Sequence, residues 1–131
     1  MNRIDVTCAI IIKEGKLLAC QRGPRSEHAY EWEFPGGKVE DGESPEACIV
    51  REIWEELKVD ILVLKQLTPI NYDYPRISIR LIPFLCRIDA GNPSPVEHHT
   101  IRWQPINRFA DLLWSAADKT VFDTNKEALL C

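Results

Sequence analysis

"FPGGKVEDGESPEACIVREIWEELKV" occupies residues 34–59 and sets seven carboxylates against three basic residues, directly after a pair of glycines. Ser44 followed by Pro45 is a helix start: a hydroxyl that caps free N–H groups, then a ring whose missing N–H is no loss at the first helical position. No glycine or internal proline interrupts residues 46–58, so the pattern predicts one helix over them. At about 100° per residue, Glu52, Glu55 and Glu56 stand at i, i+3 and i+4 and share one face. Ile49, Val50, Ile53, Trp54 and Leu57 gather on the other side as the expected core stripe. Like charges at those spacings repel by about 0.2–0.5 kcal/mol per pair, so a helix built for stability alone would carry a lysine among them. A solvated acidic face is the ordinary alternative. Hard carboxylate oxygens beside glycine-freed backbone instead suit Mg²⁺, or Mn²⁺, and no His/Cys set points to zinc.

On either side of this helix the chain is rich in β-forming residues. Residues 4–13 form an apolar run that turns at Glu14-Gly15 into "KLLACQR", which reads as a hairpin. "WEF" is a short strand. Two β-rich runs, 59–74 and 76–88, come after the helix, with Pro69 and Pro83 marking edges or bulges within them. Residues 97–104 read as a strand, 105–114 as a short helix and 115–131 as a closing amphipathic helix. Strands, helix, strands, helix predict a single α/β layered domain over 1–131 with a mixed sheet.

Composition narrows the function classes. With 45% hydrophobic and 27% charged residues the balance is that of an ordinary globular protein. No apolar run approaches the roughly 20 residues of a membrane helix, and "MNRIDVTCAIII" reads as a first strand rather than a signal peptide. A net charge of −4 argues against binding a nucleic-acid polymer, which relies on clustered Lys and Arg. It leaves a nucleotide substrate open, because a bound divalent cation inverts the local sign. The five cysteines are odd in number and lack CxxC spacing, the mark of reduced thiols in a cytoplasmic protein. Cys8, Cys20 and Cys86 fall in strand-like runs and are expected to be buried, Cys131 to be exposed.

Gly37, Glu43 and the run Arg51-Glu52-Ile53-Trp54-Glu55-Glu56-Leu57-Lys58-Val59 resemble the Nudix box, G-x5-E-x7-R-E-U-x-E-E-x-G-U with U apolar. Six of its seven invariant letters match at the required spacing, and both apolar positions, Ile53 and Val59, agree. The departure is Lys58, where the family has glycine. "WEFPGGKVE" and the order of later elements extend the resemblance to MutT-type members over nearly the whole chain. The resemblance implies the Nudix α/β/α sandwich with a mixed sheet. It also implies Mg²⁺-dependent hydrolysis of a nucleoside triphosphate to monophosphate and pyrophosphate, as in sanitising the nucleotide pool of 8-oxo-dGTP or of modified or cytidine nucleotides. Other nucleoside diphosphate-X substrates, such as ADP-ribose or dinucleoside polyphosphates, are the alternative. A non-catalytic nucleotide-binding domain is a further one.

By the same resemblance the metal ligands are the Gly36 carbonyl, Glu52, Glu55, Glu56 and Glu97, with Glu52 or Glu97 as general base. Arg51 and Glu43 form a bracing ion pair. Arg22 contacts phosphate, Arg76 lies near the nucleotide or is solvated surface, Phe34 and Trp32 flank the entrance or pack in the core, and Trp103 packs under the sheet. Asp118 stands where MutT-type members read the base. As an ionised acceptor it suits donors on cytosine or guanine; as a helix N-cap it has a plain structural role. His28, His98 and His99 read as polar surface. Small relatives of this kind are monomers or homodimers.

Overall fold

The computed structural model describes residues 3–130. Eight strands, β1 (Ile4–Lys13), β2 (Lys16–Gln21), β3 (Trp32–Glu33), β4 (Gly36–Lys38), β5 (Asp60–Gln66), β6 (Ile70–Asp73), β7 (Ser78–Ala90) and β8 (Thr100–Pro105), accompany two α-helices, α1 (Pro45–Leu57) and α2 (Ala116–Leu130). The strand order is β3-β2-β1-β7-β5, with β4 pairing to β1, β6 to β7 and β8 to β2. β1 and β7 run parallel, from Ile4 opposite Ile79 to Ile11 opposite Cys86, and the remaining pairs are antiparallel. The mixed sheet expected from the sequence is present.

β1 is apolar and mostly buried from Cys8 to Ile12 because both faces of the sheet are covered there. Cys8 and Ile10 join one core with Phe34, Trp114, Val121 and Phe122. Ala9 and Ile11 join a second with Ile49, Ile53 and Leu57 of α1. Glu14 and Gly15, both at positive φ, make the two-residue turn between β1 and β2. The run 59–74 divides at Pro69 into β5 and β6, and Pro83 of β7 falls between their registers, where Leu67 N–H donates to its carbonyl at 2.8 Å.

Three expectations change. β8 begins at Thr100, so residues 97–99 are loop rather than strand. Residues 106–111 form a 3₁₀ helix broken at Arg108 instead of a regular helix. Val50 and Trp54, 40% and 49% exposed, lie outside the core stripe, which is the narrower Ile49-Ile53-Leu57 line. Cys8, Cys20, Cys48 and Cys86 are free and buried, while Cys131 lies outside the described residues. Among the described residues no helix is long and apolar enough to cross a membrane.

Candidate active site

Ser44 caps α1 as its sequence suggests, its Oγ accepting the Ala47 N–H at 3.1 Å. Three acids then descend around the helix at different depths. Glu56 stands next to buried Ile49 on the helical wheel and its side chain is only 6% exposed; Glu52, one step round, is 18% exposed, and Glu55, one step further, 50%. A rotation of about 40–60° between neighbours on the wheel produces this gradient. The shared acidic face is therefore a ramp from core to solvent.

The paired glycines make room for it. A Cβ on Gly36 would overlap the Thr7 carbonyl of β1, and one on Gly37 would lie 2.5 Å from the Glu52 carboxylate. Arg51 holds the outer acids. Its Nε and Nη2 donate to the two oxygens of Glu43 at 2.7 and 2.9 Å, and its Nη1 donates to Glu52 and Glu55, both at 2.8 Å. Hydrogen bonds from Arg51 and from the Glu40 N–H keep the Glu43 carboxyl down at about 2.

At the far end of α1, Lys58 occupies the left-handed region (φ 57°, ψ 39°), the conformation for which glycine is favoured. Its N–H reaches the Trp54 carbonyl at 3.0 Å and its Nζ lies 5.5 Å from the Trp54 ring centre. The helix end thus keeps its turn despite the departure from the box. Beyond it, Ser94 and Val96 N–H groups donate to the carbonyls of Leu57 and Glu56 at 3.0 and 3.1 Å. These bonds bring residues 94–98 onto the acids.

A cavity of about 330 Å³ is lined by Arg22, Glu33, Gly36, Glu52, Glu56, Glu97 and His98, together with Gly23 and Ser26. Glu55 does not line it. A small recess of about 110 Å³ adjoins it, sharing Arg22, Glu33 and Gly36 and adding Cys8, Phe34, Tyr74 and Asp118. Arg22 also borders an outer groove of about 470 Å³ with Glu27, His28, Tyr74 and Arg76. Arg76 is 88% exposed at its side chain and 3.9 Å from Glu27, at the rim rather than inside. A roomier cavity of about 600 Å³ beside α2 holds none of the candidate site residues.

Asp118 is not the N-cap of α2, which starts two residues earlier. Its carboxyl is buried, accepts the Phe34 N–H at 3.0 Å and is bonded by the Ser115 hydroxyl. Burial, with the Glu33 charge adding to it, raises its pKa to about 7. Phe34 packs in the core and walls the recess, whereas Trp32 is buried and lines neither cavity. Trp103 is partly buried with Lys13 Nζ 5.9 Å from its ring centre.

His28 and His99 lie at the surface, but His98 does not. Its side chain is 7% exposed and its Nε2 is 2.9 Å from Glu33 Oε2. Glu33, at the end of β3, also lines the cavity, though no motif in the sequence singles it out. Its signal was the alternation of "WEF": with Trp32 and Phe34 in the core, the residue between them faces the other way.

The residues fit a divalent cation. Among the described residues Glu56 Oε2 is buried without a hydrogen-bond partner, and burial together with Glu52, Glu33 and Glu97 pushes its carboxyl well up. A cation among these oxygens would supply the missing partner and reverse that shift. The side chains do not converge into a closed set: among the described residues no three His, Cys, Asp or Glu groups are gathered as a metal cluster. Two of the acids, Glu52 and Glu55, are instead ion-paired to Arg51.

Comparison with known proteins agrees with the box. The NUDIX domain model matches residues 1–124. The chain is 48% identical over 63 residues to the CTP pyrophosphohydrolase of Escherichia coli K12, a match spanning 48% of this chain and 47%, about half, of that protein's length. It is 30% identical over 107 residues to the 8-oxo-dGTP diphosphatase of the same strain, covering 81% of this chain and 83% of the relative. Its fold is similar to the solution structure of the E. coli ORF135 protein, with a TM-score of 0.85 and 30% identity, covering 100% of this chain and 93% of the other. Nudix hydrolases generally use divalent metal ions and act on small nucleotide substrates. The box, the mixed sheet and these matches agree: the chain belongs to the NUDIX family and is a Nudix hydrolase.

Proposed function

We propose that this chain hydrolyses a nucleoside triphosphate to monophosphate and pyrophosphate with Mg²⁺, cleansing the cytoplasmic nucleotide pool of a modified guanine or cytidine nucleotide. The observation that carries this reading is one continuous wall. The acid ramp of α1 meets Arg22, and Arg22 meets a buried recess closed by Phe34, Tyr74 and Asp118. Phosphates suit the first part and a base the last.

Glu52, Glu56, Glu97 and the Gly36 carbonyl would hold Mg²⁺, with Glu55 at the exposed edge. When bound there, the ion would supply positive charge against the polyphosphate and would lower the pKa of the attacking water. Arg22 steadies the phosphates through its outer N–H groups. Glu52, with Glu97 as the alternative, takes the proton from the water that attacks phosphorus, and the P–O bond joining the monophosphate and pyrophosphate parts breaks. Arg51 and Glu43 brace the loop against the helix so that Glu52 keeps its place. Asp118 receives the base by its polar edge, and Phe34 and Tyr74 offer it apolar surface. The open groove along Arg76 supports a second reading, a larger nucleoside diphosphate-X substrate such as ADP-ribose.

A panel of nucleoside triphosphates, ADP-ribose and dinucleoside polyphosphates, assayed with Mg²⁺ for pyrophosphate and monophosphate, decides between them. Turnover of a triphosphate should fall at least about 100-fold in Glu52→Gln and Glu56→Gln, as for loss of one preorganised electrostatic group. Undiminished turnover in both folded variants sinks the assignment of the acids.

A further inference from the structure

We propose that His98 is a positioning residue for this hydrolysis: its Nε2–H holds Glu33, and Glu33 in turn fixes Arg22 against the phosphates. The proposal rests on the functional reading above. Its ground is a continuous line of contacts. Arg22 Nε donates to Glu33 Oε1 at 2.7 Å, and His98 Nε2 stands 2.9 Å from Glu33 Oε2 and 3.7 Å from Glu56 Oε1. Each Glu33 oxygen thus serves one partner. The line runs from the recess to the buried end of the acid ramp, and all four side chains border the same cavity.

Glu33 is an acceptor here. Its Oε1 takes the Arg22 Nε–H at 2.7 Å, as an ionised carboxylate does, and its Oε2 is left to accept from the ring nitrogen 2.9 Å away. His98 Nε2 is therefore the donor in that pair. Arg22 spends its Nε on Glu33 and one Nη1 hydrogen on the Glu27 carbonyl at 3.2 Å, and it lines the cavity, the recess and the outer groove. An arginine at such a junction has many rotamers, and the Glu33 bond selects one.

The backbone on either side of His98 is also clamped. Val96 N–H is bound to the Glu56 carbonyl of α1, and His99 N–H donates to the Gln21 carbonyl of β2 at 2.9 Å. Packing alone does not account for an imidazole at this place. Its Nδ1 is buried with no hydrogen-bond partner among the described residues, a loss that an apolar side chain of similar size would avoid. What an apolar side chain lacks is the bond to Glu33.

Three variants separate this role from simple support of the loop. The amide of His98→Gln reaches as far as Nε2; that of His98→Asn stops near Nδ1; His98→Leu has no donor. Each is assayed for kcat and KM on the triphosphate turned over best, beside Arg22→Ala, Glu33→Gln and the double variant His98→Asn/Glu33→Gln, with melting temperatures throughout. His98→Asn and His98→Leu should lose about 10- to 100-fold in kcat/KM, the range for outer partners that orient a site. The loss should fall on the same parameter as in Arg22→Ala, and His98→Gln should recover most of it. The double variant should be no worse than the poorer single one. Equal losses in His98→Gln and His98→Asn, or multiplying losses in the double variant, overturn the proposal. If His98→Leu does not fold, the Gln/Asn contrast still decides. A folded wild-type chain without turnover on any nucleoside triphosphate overturns the functional reading instead, and this role with it.

Discussion

Arg51 engages more carboxylates than any other side chain around α1: two oxygens of Glu43, one of Glu52, one of Glu55, and Glu40 at 3.7 Å. A planar fork with five donors can do this, and a lysine cannot. The arrangement makes Glu43 an acid-labile point. Its folded pKa is lowered to about 2 from 4.5, so the stability it contributes is present above pH 4.5 and is lost as pH falls toward about 2. Acid titration of the melting temperature should show a steeper fall between those values in the wild type than in Glu43→Gln. Identical slopes would mean that the Arg51–Glu43 pair is no stronger in the folded chain than in the unfolded one.

The conformation at the end of α1 runs against residue type. Lys58 sits at φ 57°, where a Cβ meets the neighbouring carbonyl, a cost of about 1–2 kcal/mol per residue in the left-handed region. The contact with the Trp54 ring offsets about 0.5–1 kcal/mol of it. Lys58→Gly should therefore raise stability by a fraction of a kcal/mol to about 1 kcal/mol in denaturant unfolding, with catalysis little changed because the acids lie upstream. A destabilised glycine variant would show that the Trp54 contact dominates. The same helix end receives the Ser94 and Val96 N–H groups, so the loop that carries Glu97 and His98 is seated on α1 and not only on the sheet.

For the whole molecule, the sheet matters because it separates two cores and leaves its β3, β4 and α1 margin open to the cavity. Mg²⁺ binding there should stabilise the fold by mass action, about 2.7 kcal/mol at 100 times the dissociation constant. Glu56→Gln should melt higher than the wild type without metal, since it removes a buried carboxylate crowded by others, and should gain less from Mg²⁺. Thermal melts with and without Mg²⁺ and EDTA check both halves, and an equal Mg²⁺ shift in the two proteins would remove Glu56 from the metal site.

The sequence by itself determined what depends on neighbours close along the chain. The Ser44-Pro45 start, the 3.6-residue placement of Glu52, Glu55 and Glu56 and the Glu14-Gly15 turn all follow from local sterics and hydrogen bonding, and all are present. Only the tertiary structure decided which acids face the cavity. The depth of each depends on where α1 lies on the sheet, which turned the acidic face into a ramp and left Glu55 at its exposed edge. It also decided the roles of residues joined across long separations. His98 meets Glu33 from 65 positions away, and the Phe34 N–H meets Asp118 from 84, so neither partner carries a local signal of the other. A histidine in a polar loop reads as surface until the helix end that seats the loop is in place, because burial comes from packing between elements and not from the residue's own neighbours.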